Sequence, residues 1–134
     1  MNMTDGELLL MAIDSAAYAY APYSNYHVGA ALLAKNGQVF CGCNIENPAH
    51  TPTVCAERTA FFKAISEGVR DFEKIAIVGG WEEWQEQCPP CGVCRQVMAE
   101  FCDKDTFRII LGNRPDNLFS YTLAEIFPLI WKAK

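Results

Sequence analysis

The sequence predicts an α/β sandwich built on a mixed sheet, and three observations carry that prediction. An opening β-hairpin pattern is followed by alternating strand and helix patterns, and 134 residues suit one domain with one substantial buried core. Apolar residues make up 51% and charged residues 20%, a globular balance, with no Gly/Ser-rich or Pro-rich linker and no internal repeat. Residues 1–134 are therefore read as a single domain.

Thr4 with Glu7 three residues on is a capping-box pattern, and Leu8, Met11, Ala12, Ser15, Ala16 and Ala19 recur at helical spacing. The pattern predicts a first helix reaching about Tyr20, broken by Ala21-Pro22-Tyr23-Ser24-Asn25. Two β-prone runs, 28–34 and 38–44, flank Lys35-Asn36-Gly37 and predict the hairpin. A Pro48- and Pro52-containing loop then leads to a second helix, expected to be capped by Thr53 and to end near Gly68, with Cys55 and Glu57 in its first turn. Ala56, Ala60 and Ala64 form a smooth strip on it, with Phe61 and Ile65 beside them, and these residues read as core.

Residues 74–78 predict a short apolar strand ended by Gly79-Gly80, followed by a polar loop rich in Trp, Glu and Gln through Gln87. A third helix should open near Gly92 and continue to about Cys102. Residues 107–111 read as another strand, 119–121 as a weaker one, and Thr122 with Glu125 repeats the capping box for a short last helix near Pro128.

A net charge of −5 excludes a surface built to track phosphates, so a small substrate is expected rather than a nucleic acid. No basic region precedes the short N-terminal apolar run, and no apolar stretch approaches the roughly 20 residues needed to span a bilayer, so a soluble cytoplasmic protein without membrane partners is expected. Seven cysteines, an odd number, point away from a complete disulfide framework and toward metal binding or nucleophilic chemistry.

The chemistry concentrates in Cys55-Ala56-Glu57 and Pro90-Cys91-Gly92-Val93-Cys94, each at the expected start of a helix after a loop. Helix N-termini and a bound cation both favour thiolates over thiols. Cys55, Cys91 and Cys94 thus suit Zn²⁺ as three ligands that leave the fourth tetrahedral position open, as catalytic rather than structural zinc requires. Glu57, two residues from a ligand, is placed to act as general base and then acid without joining the coordination sphere. Three thiolates on zinc carry a formal charge of −1, which Arg58 and Arg95 are expected to offset by donating to sulfur. Cys88 keeps two alternatives open: a closed four-cysteine structural zinc site, and an iron–sulfur run, although Met98 stands where its fourth cysteine would fall. Cys41, Cys43 and Cys102 read as structural, His27 as a strand residue, His50 as a packing or substrate-wall residue, and Trp81 and Trp84 as loop anchors.

Cys55-Ala-Glu-Arg-Thr-Ala60 and Pro90-Cys-Gly-Val-Cys-Arg-Gln96 resemble the zinc motifs of the small cytidine deaminases. Segments 19–24, 28–32 and 44–47 are similar to the same family in the same order, so the resemblance covers nearly the whole chain. It implies a cytidine-deaminase-like αβα sandwich with a mixed five-stranded sheet, and hydrolytic deamination of cytidine and 2′-deoxycytidine at C4, with Glu57 carrying protons to N3 and to the leaving ammonia. It further implies Asn44 and Glu46 on the ribose hydroxyls, Tyr26 against the base, the backbone near Ala56 on the pyrimidine edge, and a homotetramer with shared sites in which Trp131 stands at a substrate-contacting C-terminal position. Tyr26, Pro48, His50 and Trp131 depart from the residues customary there, which bears on pocket shape. A deaminase of another aminopyrimidine nucleoside, such as blasticidin S, shares the zinc motif; Asn44 and Glu46 favour a ribose-bearing substrate. A nucleic-acid-editing deaminase lacks support from so acidic a chain.

Overall fold

A computed structural model describes residues 3–131. The elements run α1 (Asp5–Ala16), β1 (His27–Ala34), β2 (Val39–Cys43), α2 (Ala56–Ser66), β3 (Phe72–Gly80), α3 (Gly92–Phe101), β4 (Arg108–Arg114), β5 (Asn117–Thr122) and α4 (Leu123–Ile126). The five strands form one sheet in the order β2-β1-β3-β4-β5. β1 lies antiparallel to β2 and β3, β4 antiparallel to β5, and β3 parallel to β4 through the α3 crossover, so the sheet is mixed as expected.

The period of two in the strands divides the core between the two faces of the sheet. Ala31 and Leu33 of β1, with Ala76, Val78 and Ile110, pack on Leu8, Leu9, Ala12 and Ala16 of α1. The alternate residues Ala30 and Leu32, with Ile75, Ile77, Ile109 and Leu111, pack on Ala56, Ala60, Phe61 and Ala64 of α2, Met98 of α3 and Leu123 of α4. Helices on both faces make this the expected αβα sandwich. Phe61 is fully buried and lies edge-on to Phe72, with ring centroids 5.1 Å apart. Its truncation to Ala should cost about 3–5 kcal/mol.

Both expected capping boxes form, at Thr4–Glu7 and Thr122–Glu125. Other boundaries move because of pairing between distant segments. α1 stops at Ala16 rather than near Tyr20: Tyr20 N donates to the Asn44 carbonyl, Glu46 N donates to the Tyr20 carbonyl, and this pairing holds the chain extended. Thr53 does not cap α2, since its hydroxyl accepts from Asn47 N while Val54 pairs with Ile45. Cys55 takes the N-cap position in its place. Gly79-Gly80 extends β3 instead of ending it, pairing with Val28 and His27. β4 runs past Leu111 to Arg114, and the weak 119–121 signal is a full strand, β5, from Asn117 to Thr122.

Candidate active site

α2 and α3 begin at the end of the sheet where β2 finishes and β3 reaches Gly80. Close approach of α2 to β2 depends on Gly42, where a Cβ would lie 2.4 Å from the Ala56 carbonyl oxygen and 2.6 Å from Ala60 N. Thr59 adds a tie, its hydroxyl donating to the Cys43 carbonyl at 3.0 Å. Cys55 and Cys91 are the N-cap residues of α2 and α3, both with extended backbone. The Cys55 side chain makes no capping bond, whereas Cys91 Sγ accepts from Cys94 N at 3.4 Å. Two helix N-termini thus present their thiols to one point, where the helix dipoles favour negative charge.

The Sγ atoms of Cys55 and Cys91 are 3.6 Å apart, those of Cys91 and Cys94 are 3.5 Å apart, and all three lie within 4.8 Å of one another. Tetrahedral zinc with Zn–S bonds of about 2.3 Å separates its sulfurs by about 3.8 Å, so the donor set and its spacing fit that ion. Arg58 Nη2 donates to Cys55 Sγ at 3.5 Å, as the charge argument requires. The neighbouring Cys94 thiol, with Arg58 and Cys91 adding to its effect against burial, lowers the Cys55 thiol pKa to about 5, and the Cys94 thiol is correspondingly raised. The cluster therefore favours an anion by its own geometry.

Glu57 follows Cys55 by two residues and is 3% exposed. Its Oε1 has no hydrogen-bond partner, and neither does the buried Nε of Arg58 beside it. Burial, above all, raises the Glu57 carboxyl to about 7. A buried carboxylate oxygen without a partner costs stability unless a ligand meets it, and a carboxyl near neutrality can both take and give a proton.

The other residues singled out in the sequence divide into several groups. Arg95 departs from expectation: its guanidinium donates to the Pro90 carbonyl at 2.8 Å and to the Ile126 carbonyl, joining the start of α3 to the end of α4 instead of reaching sulfur. Asn44 is buried, with Oδ1 accepting from Val28 N at 2.9 Å and Nδ2 donating to the Tyr26 carbonyl at 2.8 Å. One further donor and acceptor position remain on that amide. Glu46 accepts from Tyr23 N, Ser24 N and the Ser24 hydroxyl, and borders a cavity of about 470 Å³ with Tyr23, Asn47, Pro48, His50 and Thr53. His50 adopts φ +67° in that loop and lies outside the thiol group.

Ala56 is fully buried at the start of α2, while Trp131 is 69% exposed, its carbonyl accepting from Gln96 Nε2. Cys88 does not join the three thiols; its Sγ lies 3.4 Å from the Tyr26 hydroxyl, so the four-cysteine arrangement is not formed. Trp81 packs edge-on to Tyr26 with centroids 4.6 Å apart. Sequence reasoning missed Gln85 and Gln87, whose side-chain oxygens accept from Tyr26 and Tyr121. No local pattern signals such bonds between distant segments.

A family model described as the cytidine and deoxycytidylate deaminase zinc-binding region matches residues 3–109. A protein named cytidine deaminase from Halalkalibacterium halodurans is 50% identical over 121 residues, covering 90% of this chain and 89% of that protein. The crystal structure of cytidine deaminase from Burkholderia pseudomallei superposes with a TM-score of 0.88 at 40% identity, covering 96% of this chain and all of that one. A blasticidin-S deaminase from Bacillus cereus is 30% identical over 136 residues, covering 96% of this chain and 93% of that protein.

Proposed function

The chain belongs to the cytidine and deoxycytidylate deaminase zinc-binding family, and from that membership we propose that it converts cytidine and 2′-deoxycytidine to uridine and 2′-deoxyuridine with release of ammonia. It is a hydrolase acting on the C–N bond of a cyclic amidine, and zinc is its cofactor. The single observation that carries the mechanism is the buried, unpartnered Glu57 Oε1 beside the three-thiol group. Cys55, Cys91 and Cys94 would hold the metal, which would supply Lewis-acid activation of the attacking water.

Glu57 takes one proton from that water and passes it to N3 of the base, then takes the second from the hydroxyl left on C4 and passes it to the departing amine, a task suited to a carboxyl raised toward neutrality. Arg58 offsets the negative charge of the thiolates through its bond to Cys55. Tyr26 lies against the base, the backbone at Ala56 reads the pyrimidine edge, and the free capacity of Asn44 and Glu46 meets the ribose hydroxyls. Trp131, Leu129 and Val93 are exposed large apolar side chains, which supports a homotetramer in which sites are shared. Among the described residues no helix is long and apolar enough to cross a membrane, and a cytoplasmic role in pyrimidine salvage fits the chemistry.

The test is zinc per subunit together with the fall in ultraviolet absorbance on adding cytidine, deoxycytidine, cytosine or blasticidin S. Near one zinc and rapid loss of the nucleoside signal is the expected result. Turnover of blasticidin S alone would transfer the chain to the second reading, which the 30% identical Bacillus cereus relative keeps in view. Stoichiometric zinc without turnover of any of the four would defeat both.

A further inference from the structure

The 81–90 segment joins β3 to α3 and delivers Cys91, and its regular pairing is one bridge between Gly80 and Trp84. Arg95 Nε holds its last carbonyl, that of Pro90, at 2.8 Å, and side chains from beside β1 and from β5 hold residues further back. Tyr26, immediately before β1, donates through its hydroxyl to Gln85 Oε1 at 2.8 Å, and Cys88 Sγ lies 3.4 Å from the same oxygen. Tyr121 of β5 donates to Gln87 Oε1 at 2.7 Å. Gly79 leaves the room in which the first group meets: a Cβ there would lie 2.5 Å from Cys88 Sγ and 2.9 Å from the Tyr26 hydroxyl. A side chain at position 79 would therefore push hydroxyl and thiol apart.

We propose that the Tyr26 hydroxyl is a positioning group for the metal site, holding Gln85 and Cys88 so that the loop presents Cys91 Sγ to Cys55 and Cys94. The phenol acts at a distance from the metal, through the two residues, Pro89 and Pro90, between Cys88 and Cys91. A phenol is protonated at neutral pH, and burial, with Cys88 adding to it, raises the Tyr26 hydroxyl further still. The Pro89-Pro90 pair that follows Cys88 has restricted backbone torsions, so a displacement at Cys88 passes to Cys91 instead of being absorbed on the way. Hydrogen bonds made directly to a metal ligand govern affinity by about 10- to 100-fold, and a bond that acts through two prolines should fall at the low end of that range.

The proposal rests on the zinc reading, and its test reads the metal rather than turnover. Zinc-loaded Tyr26→Phe protein should transfer its metal to a chromophoric pyridylazo chelator roughly ten-fold faster than wild type. The cobalt(II)-substituted variant should show a displaced d–d absorption band. Gln85→Leu should do the same, and the double variant should be no faster than the faster single, because both remove one bond. Asp5→Asn, which weakens the fold at the opposite end of the sheet, should leave both readouts unchanged. Wild-type release and an unaltered cobalt spectrum in Tyr26→Phe, or additive acceleration in the double variant, would overturn the proposal. Should Tyr26→Phe fail to accumulate as folded protein, Gln85→Leu alone carries the test with the same two outcomes. A wild-type chain that takes up no zinc overturns this proposal and the zinc reading together, whereas one that takes up zinc but leaves cytidine intact overturns only the activity.

Discussion

Lys74 and Glu57 are both 3% exposed, yet their surroundings differ completely. Lys74 lies near the start of β3, where its Nζ donates to Asp5 Oδ1 at 2.7 Å and to the Met3 carbonyl at 2.8 Å. Arg108 closes the network with bonds to both oxygens of Asp5, at 2.8 and 3.0 Å. At the other end of the sheet the Glu57 Oε1 meets nothing. A buried ionisable group with its partners in place joins α1 to two strands. One without a partner is a cost to stability, and the proposed proton transfer beside the three thiols gives that cost a purpose.

Exchange of carboxylate for amide at each end breaks this comparison most directly. Glu57→Gln should retain its zinc and its melting temperature but lose at least roughly 10²- to 10⁴-fold in turnover, since an amide cannot carry the proton. Zinc content, thermal unfolding and cytidine turnover measured on one preparation decide it, and activity near wild type would remove Glu57 from the mechanism. Asp5→Asn should do the reverse. It leaves the buried Lys74 ammonium without its counter-charge and should cost on the order of 3 kcal/mol, or about 10 °C in melting temperature, while zinc content and specific activity of the folded protein hold.

Glu46 lies between these extremes, because its carboxylate both orders the Tyr23–Ser24 turn and borders an open cavity, beside which the proposed ribose contact would be made. Glu46→Ala should lower kcat/KM for cytidine roughly ten-fold or more, mostly through KM, with zinc content unchanged. An equal loss of metal would show that the turn, and not the ribose, is what Glu46 serves.

How much of this was legible in the sequence follows from the range of each interaction. The thiol triad, Glu57 and both capping boxes are spaced by three or fewer residues within their fragments, so residue type and spacing disclosed them. The hairpin and α3 were legible for the same reason. The end of α1 and the cap of α2 were not, because Ile45 pairs on one side with Tyr20 and on the other with Val54, and both pairings override local helix signals. Arg95 follows Cys94 in sequence, but its reach is decided by the Pro90 and Ile126 carbonyls. Cys88 sits at a tempting C-x-x-C spacing, but it lies outside the three-thiol group and meets the Tyr26 hydroxyl, sixty-two residues away in the chain.

The smallest expected effect is also the one that tests whether the Asp5 network acts as a set of charges. The Arg108 hydrogen bond, opposed by partial burial and assisted by Lys74, lowers the Asp5 pKa from 3.8 to about 2. The folded state therefore binds this proton less readily than the unfolded chain does. Its contribution is fully present above the unfolded value, declines as pH falls through 3.8, and is lost once pH passes below about 2. Asparagine has nothing to titrate, so the stability difference between wild type and Asp5→Asn should be constant from neutrality to about pH 5 and shrink steadily below that. Urea midpoints of the two proteins at matched pH values measure the difference directly, and the remaining carboxylates largely cancel in it. A difference that stayed flat down to pH 2.5 would mean that Asp5 holds α1 to the sheet by shape and neutral hydrogen bonding, and the contrast with Glu57 would then be one of packing rather than of charge.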